Sequence, residues 1–324
     1  MNAAAPVFAL LALILTGPAP ELLARAAWPS RAPRAALVLW QAVALAAVLA
    51  AFGSGLAVAS ELLVPGPNGH PTTSPADEIN ALGLPLWIIY VTVLTLTLLV
   101  GARLCWAIVR VSVRTRRRRA QHRMIVDLVG TEPTAHGHHR RLTGRSRSQV
   151  ADLRVIDTAE PVAYCLPGLR QRVVLSEGTF ASLDDTEITA ILSHERCHLR
   201  SRHDLLLEAF TAVHEAFPRF VRSESALGSV RLLVELLADD SAVKVTGRKP
   251  LARALIACAN STAPQGALAA GGQHTVLRVQ RLTGPLADTR VAVAAYLASV
   301  AILLVPTIAV AVPWLIELDR LLNT

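Results

Sequence analysis

Apolar positions in this chain form long unbroken runs at its two ends and shorter periodic patterns between them. A membrane helix needs about 20 apolar residues, and four stretches meet that length, at about residues 3–20, 35–59, 84–104 and 291–315. The first is uncharged, slightly short and ends among Pro18 and Pro20. A secretory signal would open on basic residues, which are missing here, so the stretch reads as a first membrane helix. Trp87 and Tyr90 stand toward one end of the third run as interfacial anchors.

Charge in the connecting loops sets the expected orientation. The loop after the first run carries Arg25, Arg31 and Arg34 against Glu21, whereas the next carries Glu61, Asp77 and Glu78, four prolines and no basic residue. The third run leads into Arg110, Arg114, Arg116, Arg117, Arg118, Arg119 and Arg123. The positive-inside rule then expects both termini outside and the middle of the chain in the cytoplasm of a multi-pass cell-membrane protein. The predicted division is a membrane region over 1–110, a cytoplasmic domain over 111–290, and a fourth span with a short outer tail over 291–324.

The middle of the chain reads as mixed α and β. Residues 120–150 are polar and include His136, His138 and His139, either a metal-delivering tract or, as favoured here, a solvated loop. Leu153–Ile156, Pro161–Cys165 and Arg172–Leu175 read as short strands, with a Pro167-Gly168 turn before the last. Such a strand either pairs with an extended substrate or only covers the helix beside it.

Composition places this pattern in a bilayer: 52% of the 324 residues are hydrophobic and 17% charged. The net charge of +8 does not point to nucleic acid, because the arginines cluster at a membrane boundary without interleaved aromatics. No direct nucleic-acid binding is expected. Cys105, Cys165, Cys197 and Cys258 have no C-x-x-C spacing and read as reduced thiols.

Chemistry enters at His194-Glu195-Arg196-Cys197-His198, which fits H-E-x-x-H. On a helix the two His lie one turn apart and offer two imidazoles to one Zn2+, and Glu195 serves as general base. The helix is supported by a capping-box-like start at Ser182 and Asp185, acids at Asp184 and Glu187, and apolar Ile188, Ile191, Leu192 and Leu199 at helical spacing. His203 is not favoured as a ligand, because on a continuing helix it turns away from His194 and His198. A second helix carries Glu235 and Asp239 one turn apart on its apolar face. Buried carboxylates are costly unless paired or bound to metal. Glu235 as third ligand and Asp239 as partner to a ligand His resolve both, the alternative being two exposed acids on an amphipathic helix. His274 and Arg278 are the candidates to stabilise an oxyanion, set against plain surface roles. Ser241 to Lys244 fits S-x-x-K, but with neither S-D-N nor K-T-G in the chain it is rejected as an acylation motif.

H-E-x-x-H, then Glu235-x-x-x-Asp239, with three spans before the domain and one after it, resembles membrane zinc metallopeptidases of the BlaR/MecR antirepressor type. Ala163 to Gly168 and Val173 to Gly178 resemble the same group and the related gluzincins, the CAAX prenyl proteases and heat-shock membrane proteases. The resemblance implies zinc on His194, His198 and Glu235, Glu195 as base and Asp239 orienting a ligand. Arg278 to Leu282 loosely fits the R-[IV]-x-x-L segment of the prenyl proteases. Beta-lactam sensors of this type carry an extracellular penicillin-binding domain after the fourth span; here none is expected, nor direct antibiotic sensing through one. The expected fold is mostly α, a four-span membrane protein with a zincin-like α+β domain inserted between helices three and four. The expected function is that of a membrane-embedded zinc-dependent endopeptidase performing regulatory proteolysis on the cytoplasmic side, its substrate a protein or peptide such as a BlaI/MecI-type transcriptional repressor. The alternatives are a quality-control or maturation protease and a non-catalytic signalling scaffold.

Overall fold

The computed structural model of the chain describes residues 4–64, 74–132, 152–168, 170–217, 224–259, 268–269, 274–284 and 288–323. The tract holding His136, His138 and His139 lies outside them. The described residues are mostly helical, with one small sheet, and divide into two compact units.

Along the chain, α1 (Ala4–Thr16) stops at Gly17 and α2 (Pro18–Arg25) restarts at a proline, so the first apolar run is two helices instead of one. Next come α3 (Pro33–Ala59), α4 (Pro75–Leu82) and α5 (Leu84–Val129). The 46-residue α5 corrects one expectation, since Ala120 to Val129 is helix and not loop. No Gly or Pro interrupts the segment after Gly101, and its many Arg favour helix. Strands β1 (Leu153–Ile156), β2 (Ala163–Leu166) and β3 (Arg172–Ser176) follow. They lead into α6 (Glu177–Ser182), α7 (Asp185–Arg200) and α8 (His203–Ala216). After α9 (Glu224–Thr246) and α10 (Arg248–Ala257) comes the two-residue β4 (Leu268–Ala269), which the sequence reading did not foresee. The chain ends in α11 (Thr275–Thr283), α12 (Thr289–Pro306) and α13 (Val312–Asn323).

One unit comprises Met1–Ala107, Val213–Ala226 and Asp288–Thr324. Its centre is α3, whose Ala42, Ala46 and Ala50 are buried at one-turn spacing. Small residues let apolar helices approach closely. Leu15 of α1 and Ile302 and Leu303 of α12 pack against α3 at Leu39, Val43, Ala46 and Ala47. Gly55 is required on the same helix, because a Cβ there would lie 2.1 Å from the Thr97 hydroxyl. Pro306 cannot donate to the preceding turn, and the ladder re-registers through a π-type turn over Thr307–Ala311. Among the described residues, four helical stretches are long and apolar enough to cross a membrane: Ala4–Arg25, Pro33–Leu62, Leu84–Val129 and Thr289–Ile316.

The other unit comprises Ile108–Ala212 and Leu227–Ala287. Its sheet has the order β1-β3-β2-β4, with β1 parallel to β3 and the remaining pairs antiparallel. Because alternate residues of a strand face opposite ways, β2 serves two cores. Ala163 and Cys165 share a core with Ile188, Ile191 and Leu192 of α7, whereas Tyr164 and Leu166 pack with Val126 of α5. Gly178 is the second residue of α6, where a Cβ would lie 2.1 Å from the Ala159 carbonyl oxygen, so that position admits no side chain.

Candidate metal centre

The motif helix starts two residues past the expected cap. Asp184 Oδ1 accepts hydrogen bonds from the Thr186 and Glu187 amides, both at 2.8 Å, and Glu187 Oε2 accepts from the Asp184 amide at 2.9 Å. This is a reciprocal capping box. Ser182 instead belongs to α6, so the expected Ser182–Asp185 pairing is replaced by Asp184–Glu187.

From that start, α7 brings His194, Glu195 and His198 to fully buried positions. His194 and His198 turn toward one point, with their Nε2 atoms 3.2 Å apart. Glu235 comes in from α9, its Oε2 3.3 Å from His194 Nε2 and its Oε1 3.5 Å from His198 Nε2. One ligand atom from each of these three residues lies within 4.8 Å of the others. Two zinc–nitrogen bonds of 2.0–2.1 Å at a tetrahedral angle would separate the nitrogens by roughly 3.3 Å. The spacing of the three donors therefore fits a zinc-sized ion held by two imidazoles and a carboxylate.

The opposite edge of each imidazole is also held. Asp239, one turn beyond Glu235 and 1% exposed, places Oδ1 3.0 Å from His194 Nδ1. His198 Nδ1 lies 3.0 Å from His203 Nδ1, the rings meeting edge to face at 81°. A proton on His198 Nδ1, shared with His203, leaves the Nε2 lone pair facing the donor cluster, and such partners fix both tautomer and ring orientation.

Sequence reasoning discounted His203 by assuming that the helix continues. Instead α7 ends at Arg200, Arg202 turns into the left-handed region at φ 51°, and α8 begins at His203. That turn swings His203 back onto His198. No local periodicity signals it.

Arg278 reaches the carboxylates of α9. It is 1% exposed, and its Nε and Nη2 donate to Asp239 Oδ2 and Oδ1 at 2.8 and 2.6 Å, while Nη1 lies 3.1 Å from Glu235 Oε2. Its guanidinium thus braces the two carboxylates. Arg281 and Asp240 form a second two-pronged pair at 2.6 and 3.0 Å, joining α11 to α9. His274 is exposed at the start of α11 with a φ of 74°, and the structure does not bring it into the donor cluster.

Burial and these partners set the charges. Burial alone pulls His194 down, yet Asp239 and Glu235 outweigh it and lift the metal-free imidazole to about 10. Burial holds His198 at about 3 and His203 at about 4, both neutral. Burial works against ionised Glu235, but His198, His194 and Arg278 together keep its carboxyl below the usual range. Asp239 is held low against the same burial, chiefly by Arg278. A further neighbour is Cys165 of β2, fully buried; burial first, then the nearby Glu195 charge, pushes its thiol well above its ordinary value.

Two imidazoles and an ionised carboxylate converging on one point, with a second buried carboxyl beside them, form a donor set able to hold a metal ion. No curated protein and no solved structure matches the chain. Residues 140–298 match the family model of peptidase family M48.

Proposed function

We propose that the chain is a zinc-dependent endopeptidase anchored in the cell membrane, with its site on the arginine-rich, cytoplasmic side. The observation that carries this reading is the convergence of His194 Nε2, His198 Nε2 and the Glu235 carboxylate at spacings suited to one zinc ion. The M48 match over residues 140–298 supports it independently. Three protein donors are the number used by catalytic zinc sites; structural sites close with four.

Zinc held by His194, His198 and Glu235 would supply Lewis acidity to a water and to the scissile peptide carbonyl. Glu195, buried on the same turn as His194, takes the proton of that water on its carboxylate and returns it to the leaving amine. Asp239 holds the His194 ring and His203 holds that of His198, so neither imidazole has to reorganise during the reaction. Arg278 stabilises both carboxylates and keeps them ionised.

The substrate in this reading is a cytoplasmic or juxtamembrane protein segment, and the reaction is regulatory proteolysis. A transcriptional repressor of the BlaI/MecI type is the first class to test, because the arrangement of spans and inserted domain resembles that of antirepressors. On this reading any effect on genes passes through the cleaved protein and not through nucleic acid bound to this chain.

The test has two stages in detergent-purified full chain. Zinc near one per chain, lost in Glu235→Ala, establishes the centre. Glu195→Gln then keeps metal and traps uncut substrate, whose identity separates a repressor from a membrane protein undergoing quality control. Well-folded wild type that takes up no zinc would overturn the enzyme reading in favour of a signalling scaffold.

A further inference from the structure

Of the arginines that follow the third apolar run, Arg114, Arg116, Arg117 and Arg118 are exposed, as residues placed by topology would be. Arg119 is only 8% exposed. Its Nη1 donates to Asp204 Oδ2 at 3.1 Å and to Glu208 Oε1 at 2.6 Å. Both acids are themselves more than nine-tenths buried and stand one turn apart on α8. A buried cation with two buried anions is held in place strongly, because removing one member leaves uncompensated charge in a poorly solvated site.

The position of this triad gives it a role. Asp204 directly follows His203, the first residue of α8, and His203 Nδ1 lies 3.0 Å from His198 Nδ1. The preceding residue, Arg202, has the left-handed backbone that lets α8 start in a new direction. A non-glycine residue in that conformation persists only when its surroundings determine it. Arg119 supplies such a constraint on the first two turns of α8. The His203 ring is then located by the α5–α8 ion triad as well as by its own link to α7.

We propose that Arg119 is a positioning residue for the metal centre: by clamping Asp204 and Glu208 it sets the start of α8, and thereby holds His203 against His198. This rests on the metal-site reading above and extends it to a residue outside the donor cluster. Nothing in the arginine run distinguishes this member from its neighbours except where the fold puts it.

The test compares wild type, His203→Ala, Arg119→Lys, and the triple variant Arg119→Met/Asp204→Asn/Glu208→Gln, in which all three members of the triad are uncharged, all as full chain in detergent. Arg119→Lys keeps a cation in the pocket but not the planar fork, and the triple variant removes the clamp without stranding a buried charge. Zinc affinity is read by chelator competition, and ring geometry by the visible bands of the cobalt-substituted protein. Loss of a partner to a ligand His typically costs 10–100-fold in metal affinity. The expectation is roughly a tenfold loss or more in His203→Ala and the triple variant, a smaller loss in Arg119→Lys, and cobalt bands displaced in the same direction in all three. A merely structural Arg119 would lower the melting temperature while leaving zinc affinity and cobalt bands as in wild type, and that result overturns the proposal. So does a silent His203→Ala. Wild type without zinc overturns the metallopeptidase reading itself, so the two failures are distinguishable.

Discussion

Replacing Asp239 by Asn separates two jobs that the structure assigns to one carboxylate. Asp239 Oδ1 holds His194 Nδ1 at 3.0 Å, and its two oxygens receive Arg278 at 2.8 and 2.6 Å. The amide keeps the shape but loses the charge. For the metal, weakening the partner of one ligand His costs 10–100-fold in affinity, or about 1.4–2.8 kcal/mol at 1.4 kcal/mol per tenfold. For the fold, Arg278 remains 1% exposed with Glu235 as its other carboxylate at 3.1 Å. Breaking a buried pair from one side typically destabilises by about 3–5 kcal/mol. Adding Arg278→Met to Asp239→Asn removes the stranded cation, so the double variant should recover much of the folding stability while zinc stays weakly bound. Urea unfolding of the metal-free variants in detergent reads the first quantity, and chelator competition the second. Zinc affinity returning to wild type together with stability in the double variant would refute the view that Asp239 acts on His194 directly.

Glu195→Gln should retain zinc and lose about 10²–10⁴ in turnover, the usual contribution of a positioned general base; wild-type cleavage by that variant would remove Glu195 from the mechanism. Asp184→Ala opens the capping box on α7 and should cost about 1 kcal/mol, read as a lower melting temperature, whereas Ser182→Ala, in α6, should cost less. Metal uptake should release protons. The metal-free His194 is lifted to about 10 and so carries a proton at pH 8, but it must shed that proton to ligate. Zinc affinity should therefore rise with pH up to that value, and calorimetric binding enthalpies that do not vary with the ionisation enthalpy of the buffer would contradict this.

The sequence by itself determined what is carried by local periodicity and local chemistry. His194 and His198 are readable as a pair because four residues make one helical turn, and the apolar spacing of Ile188, Ile191 and Leu192 declares the helix and its buried face. Glu235 and Asp239 stand out because two acids on an apolar face conflict with burial unless something compensates them. Stretches of about 20 apolar residues likewise announce helices able to cross a bilayer. The tertiary structure alone decided the long-range pairings. Arg278 lies 39 residues from Asp239 and binds carboxylates because α11 docks on α9, which no spacing in the chain encodes. His203 reaches His198 only because the helix breaks at Arg202. Cys165 meets Glu195 through the facing of β2 toward α7, and Arg119 differs from Arg118 only by which side of α5 the fold covers. Contacts within one turn depend on a few dihedral angles, whereas these depend on how whole elements pack, and that is settled by the summed burial of the chain and not by any segment of it.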